Sequence, residues 1–89
     1  MDVETADVNT ELMVDGNAIA GPLRDYYGRE MTTESGACRH CGRITMIAEL
    51  RVYMRAPGTV ARCPTCGEVV MVVLEIRGVN RVHSDDFSL

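Results

Sequence analysis

Polar and apolar residues alternate most cleanly between Ala48 and Arg55, where Leu50, Val52 and Met54 fall on one side and Glu49, Arg51, Tyr53 and Arg55 on the other. A period of two over this length predicts a half-buried strand. Ala56-Pro57-Gly58 carries turn chemistry, and residues 59–62 and 68–77 follow as a second and a third strand. The third contains the longest apolar run, Val69 to Leu74, which predicts a strand buried on both faces. Gly78 allows a bend or bulge, after which Val79 to Val82 continues the sheet. Upstream the period changes. Asp15-Gly16-Asn17 can accept the orphan N–H groups of a helix start, and Ile19, Leu23 and Tyr26 or Tyr27 then share a face. Gly21-Pro22 either divides this segment into two short turns or starts a helix at Pro22, and Gly28 ends it. A short helical segment is predicted over about 16–28. Residues 1–14 show no sustained period and read as a flexible acidic tail.

Superimposed on this pattern are Cys38-Arg39-His40-Cys41-Gly42 and Cys63-Pro64-Thr65-Cys66-Gly67, two copies of one short design separated by residues 42–62, about a hairpin's length. Two residues between the cysteines let both sulfurs converge on one ion. Gly42 and Gly67 supply the left-handed conformation that closes each turn, and Pro64 fixes the backbone at the start of the second. A Cys-x2-Cys pair, a hairpin and a second such pair is the spacing of a structural zinc site. The ligands predicted are Cys38, Cys41, Cys63 and Cys66, holding one Zn(2+). Iron is the less favoured ion, since four thiolates accept both metals. His40 lies inside the first knuckle, but four cysteines already complete a tetrahedron, and His83 reads as a solvated histidine. With all four positions filled by sulfur, no position is open for water or substrate. Ser35, Ser84 and Ser88 have no recognisable base beside them, so no enzyme and no small-molecule substrate are expected.

Composition sharpens this in three ways. The 89 residues suffice for one domain, with no Trp and a single Phe, so the core is built from aliphatic residues and Met and calls for a metal or a partner chain. Neither the opening Met1-Asp2-Val3-Glu4 nor any apolar run suits a secretory signal or a membrane span, so a cytoplasmic location and no membrane are expected, where paired cysteines favour metal over disulfides. Charge is unevenly placed. Every base is Arg; residues 1–37 carry eight acids against two Arg, whereas residues 38–83 carry seven Arg against three Glu. Arg51, Arg55, Arg62, Arg77 and Arg81 could form a basic face for phosphate, with Tyr53 as a stacking surface, but the absence of Lys, the net charge of −4 and the few aromatics disfavour nucleic acid.

The two knuckles resemble those of the zinc-ribbon superfamily over residues 38 to about 77. Taken with Asp15 to Leu23, Met31-Thr32-Thr33, Val52 to Gly58 and Val60 to Pro64, the chain resembles an uncharacterised family of small actinobacterial four-cysteine proteins, a domain of unknown function, over residues 15 to about 82. The resemblance implies a small, metal-stabilised, mainly β fold: a zinc ribbon of three to four antiparallel strands with a short N-terminal helical segment. It also implies genes lying near molybdopterin-type oxidoreductases and ferredoxin-reductase-like proteins, and hence an accessory subunit of a redox assembly. The organisation expected is a tail over 1–14, a helical or extended docking segment over 15–31, the ribbon over 32–83 and an acidic tail over 84–89. The function expected is a non-enzymatic structural-zinc module for protein–protein interaction, with another protein or a second copy as partner. Ile19, Leu23, Tyr26, Arg51, Tyr53 and Arg55 are the expected partner surface. The alternatives are a nucleic-acid-binding or transcription-associated ribbon and a rubredoxin-like iron electron carrier.

Overall fold

The computed structural model describes residues 13–55 and 58–89, and of Arg55 the backbone alone. Among the described residues, eight strands form two antiparallel sheets. The larger, in the order β1-β4-β5-β6-β7, comprises Met13–Asp15, Arg51–Arg55, Gly58–Arg62, Val69–Ile76 and Val79–His83; the smaller, β3-β2-β8, comprises Ile44–Met46, Ser35–Cys38 and Phe87–Ser88. A 3-10 turn, Gly16–Ile19, leads into helix α1, Ala20–Tyr27, and a second 3-10 turn, Ile47–Glu49, joins the sheets. Among the described residues no helix is long and apolar enough to cross a membrane.

Local chemistry accounts for the helical segment. The Asp15 carboxylate accepts the Asn17 N–H at 3.0 Å, and the Gly28 N–H closes on the Arg24 carbonyl at 2.7 Å. Gly21-Pro22 lies in the first turn of α1, where the missing N–H of proline costs nothing, so the helix starts two residues ahead of Pro22 rather than at it. Ile19 and Leu23 turn inward and are essentially inaccessible to water. They join Met31, Ile47, Leu50, Val52, Ala61, Val70, Met71, Val73 and Phe87 in one cluster that also holds Cys38 and Cys63, so a single core lies between the sheets and the helix.

Several expectations change at this level. The tail expected over 1–14 falls outside the described residues up to position 12, but Met13–Asp15 is a strand, because Val14 can pair with Val52 at the edge of the large sheet. The strand expected from Ala48 begins at Arg51. The Glu49 carboxylate accepts the Met46 N–H at 3.2 Å, and Ile47 and Ala48 donate to the Glu34 and Thr32 carbonyls, which folds that stretch into the 3-10 turn. Met54 shares a face with Val52 but is 46% exposed. The expected turn at Ala56 and Pro57 lies outside the described residues, although Arg55 still pairs with Gly58 across it.

The run Val69 to Leu74 is buried on one face and not on two. Met71 and Val73 point into the core, whereas Val72 and Leu74 lie half-buried on the far side. The register shifts at Ala61/Arg62, leaving Val70 as the extra residue of a bulge and letting it reach the core beside Met71. Arg77 and Gly78, both at positive φ, form the two-residue turn into β7, a conformation suited to the twist of a hairpin.

The largest difference is at the C-terminus. The acidic tail expected over 84–89 contains β8, paired with β2 through Ala37↔Ser88 and Cys38↔Phe87. Phe87 is 3% exposed and lies over Gly36, where a Cβ would come within 2.5 Å of its ring. Gly16 is held as closely, since a Cβ there would meet the Ile47 carbonyl oxygen at 1.7 Å. Gly16→Ala must therefore displace backbone and is expected to cost more than about 3 kcal/mol. Phe87→Ala removes the one Phe of the core at a cost of about 3–5 kcal/mol. Urea denaturation of the metal-loaded chain checks both, and a midpoint unchanged by either substitution would contradict the packing described.

Candidate metal centre

Each knuckle sits at the end of a hairpin, one in each sheet. In the first, the Cys38 N–H donates to the Arg43 carbonyl at 2.9 Å and the Gly42 N–H to the Cys38 carbonyl at 2.7 Å. The second repeats the pattern: Cys63 N–H to Glu68 carbonyl and Gly67 N–H to Cys63 carbonyl, both at 2.9 Å. Gly42 and Gly67 have the same φ of 80°, the left-handed conformation that a Cβ disfavours. Pro64 is half-buried at the head of its turn, and the Thr65 N–H points at the Cys63 sulfur at 3.4 Å. Arg62 braces the same turn by donating to the Gly67 carbonyl at 2.8 Å.

The two turns bring four sulfurs together, all within 4.8 Å of one another. The contacts Cys38–Cys66 and Cys41–Cys63 are each 3.7 Å and both cross from one knuckle to the other. A tetrahedron with metal–sulfur bonds of about 2.3 Å has edges of about 3.8 Å, so these spacings suit one ion and are far too long for a disulfide. Cys38 and Cys63 are buried; Cys41 and Cys66 face solvent.

Electrostatics point the same way. Burial alone would raise the Cys63 thiol, but the N–H groups of Cys66 and Thr65, with the thiols of Cys41 and Cys66, bring it down to about 6. At Cys66 the Glu68 N–H favours the thiolate, yet desolvation and the three neighbouring sulfurs outweigh it and push the group up to about 12. Cys41 behaves similarly, favoured by the Arg43 N–H but raised by desolvation and by Cys38 and Cys63. One thiolate forms readily, and further ones are resisted until a cation offsets their mutual repulsion. The donor set therefore fits a thiophilic metal ion held by Cys38, Cys41, Cys63 and Cys66.

His40 is not part of the cluster. Its Nε2 lies 3.6 Å from the Asp86 carboxylate, while the neighbouring Arg39 N–H donates to the Asp86 carbonyl at 2.9 Å, so the C-terminal strand fastens the first knuckle from outside. Nothing in the sequence marked this latch except Phe87, an isolated aromatic among polar residues. Of the residues expected to meet a partner, Ile19 and Leu23 are core. Tyr26 is half-exposed at the end of α1; Arg51 is exposed and Tyr53 half-buried on the outer face of the large sheet; Arg55 is placed by its backbone opposite Gly58.

The description Family of unknown function (DUF6510) matches residues 7–86. The chain belongs to this family. For DUF6510 the present chain thus supplies an architecture: two sheets, one core and a four-cysteine cluster at their junction. No curated protein and no solved structure matches the chain.

Because metal binding needs thiolates and two of the cysteines are shifted up, loading must expel protons. Apparent zinc affinity is expected to climb by at least about tenfold per pH unit above pH 6, as the raised thiols of Cys41 and Cys66 give up their protons to the ion, as read by chelator competition. A pH-independent affinity would contradict the cluster described. Cys63→Ser removes a buried ligand and is expected to abolish stoichiometric metal and unfold the junction; a folded variant with full metal would refute the assignment.

Proposed function

We propose that the chain is a zinc ribbon: a non-enzymatic module in which one zinc ion, closed off by four thiolates, clamps two knuckle-bearing hairpins so that their surface can dock on another protein in a larger assembly. The observation that carries this reading is the closure of the sulfur cluster, with its two 3.7 Å contacts running between knuckles. A tetrahedron completed by protein sulfur leaves no position for a water nucleophile or a substrate, which is the arrangement of structural zinc and not of hydrolytic zinc. Zinc is preferred to iron because it fits such a site without redox demands.

The interaction role is supported by the proportions of the fold. The structure measures 42 × 34 × 18 Å, about two layers thick, and among the described residues nothing packs on one face of the large sheet. A cytoplasmic accessory subunit, of a redox assembly as the family resemblance implies, would use such a face. Native mass spectrometry of the protein purified from its own host, with elemental analysis of the same sample, tests the reading. One zinc per chain with a co-purifying protein is expected. Iron with visible colour would replace it with electron transfer, and a zinc-loaded chain recovered alone, as a stable monomer, would remove the interaction role.

A further inference from the structure

Directly paired residues in an antiparallel sheet lie on the same face, and the register of the large sheet separates its two faces cleanly. Val52, Ala61, Met71 and Val73 are buried under the helix and the small sheet. On the opposite face Met13, Tyr53, Val60, Val72 and His83 stand in one row across all five strands, and none is buried. The next row in one direction contains Leu74 beside Arg81, then Ile76 beside Val79, which are 48% and 56% exposed. In the other direction Arg51 stands opposite Arg62.

The result is an apolar centre of Val60, Val72, Leu74 and Val79 flanked by Arg51, Arg62 and Arg81. All three residues are exposed, the Arg62 guanidinium donating to the Gly67 carbonyl, and among the described residues no carboxylate forms an ion pair with them. Asp15 shares the face beside Arg51, but its carboxylate caps the turn that follows.

We infer that this face, uncovered among the described residues, is the docking surface and that its occupant is an acidic amphipathic protein segment, its apolar side chains over Val60, Val72 and Leu74 and its carboxylates on the flanking arginines. This presupposes the interaction module proposed above and adds to it the surface and the chemistry of the partner. Charge selects among occupants. A second copy stacked face to face would bring one set of arginines against another, an arrangement that costs free energy. A nucleic acid would find phosphate partners, but the centre is aliphatic and its one aromatic ring, Tyr53, already has the Arg62 guanidinium 5.9 Å from its centroid, so bases lack a stacking platform. A segment alternating apolar and acidic residues satisfies both the centre and the flanks, and arginine is the side chain suited to planar carboxylates.

The test uses the zinc-loaded, 15N-labelled full chain and three probes: a short peptide alternating Val and Glu, its counterpart alternating Val and Lys, and single-stranded oligothymidine. The expected result is that the acidic peptide alone moves the amides of Tyr53, Val60, Val72 and Leu74, and that added salt weakens it. The exchange Arg51→Glu with Arg81→Glu, at exposed positions, is expected to reduce affinity about tenfold or more with zinc content and spectral dispersion retained. Val72→Asp should do the same from the apolar side. Absent shifts, shifts on other elements, or equal shifts with the Lys peptide overturn the inference. Oligothymidine moving this face while the acidic peptide does not would overturn it in favour of nucleic acid, and self-association through the face would do so in favour of a second copy. In the native host, a co-purifying protein that stays bound to the Arg51→Glu, Arg81→Glu chain removes this surface and leaves the interaction module standing. The absence of any co-purifying protein removes the module reading itself.

Discussion

The mutual repulsion of four sulfurs, and its relief by a cation, is the constraint on which the rest of the structure hangs. Cys38 ends β2 in the small sheet and Cys63 follows β5 in the large one, and the two short sulfur contacts each span the gap between sheets. The buried pair also belongs to the hydrophobic cluster, so the ion's site is continuous with the core and not an appendage to it. A chain with one Phe, no Trp and, among the described residues, a single short helix has little apolar surface with which to hold two sheets at a fixed angle. Metal binding contributes on the order of 10 kcal/mol in small units of this kind, enough to decide whether the junction is ordered.

Secondary devices converge on the same junction. The first knuckle is fastened by the backbone of Asp86 and the strand at Phe87, the second by Arg62 reaching the Gly67 carbonyl. The loop between α1 and β2 is pinned by Glu30, whose carboxylate is held below its usual range by the Thr32 hydroxyl and N–H, and the Thr32 carbonyl in turn anchors Ala48. The first two fix backbone at a knuckle, and the third ties the α1–β2 loop to the 3-10 turn that joins the sheets.

The knuckles were legible in the sequence because their geometry is local: two intervening residues, a glycine at positive φ and a proline that needs no donor suffice to specify each turn. The strands at 51–55, 58–62, 69–76 and 79–83 were legible for a similar reason, since alternation and turn residues are short-range signals. What covers a given face is not a short-range property. Ile19 and Leu23 announced an apolar stripe, which serves equally for a core or for a partner, and only the position of the sheet beneath them decides for the core. The apolar run at Val69 to Leu74 looked buried on both sides because a bulge at Val70 mixes the two faces in the linear pattern. The strand at Phe87 was illegible because two residues carry no period, and its pairing with β2 depends on a chain segment nearly fifty residues away.

That same sheet explains why a small protein can leave apolar residues in the open. Its inner face carries the core, and the ion supplies the cohesion that a second covering layer would supply in a larger domain. Among the described residues nothing packs on the outer face, which is what the proposed docking requires. The β7 edge is handled separately: it carries Arg81 and His83 near its end, charged and polar positions that discourage indiscriminate strand pairing. Such an edge, with the arginine-flanked face, supports the docking proposed above, from over the strands and not along them. That geometry favours an amphipathic segment lying across Val60, Val72 and Leu74 over one adding a sixth strand.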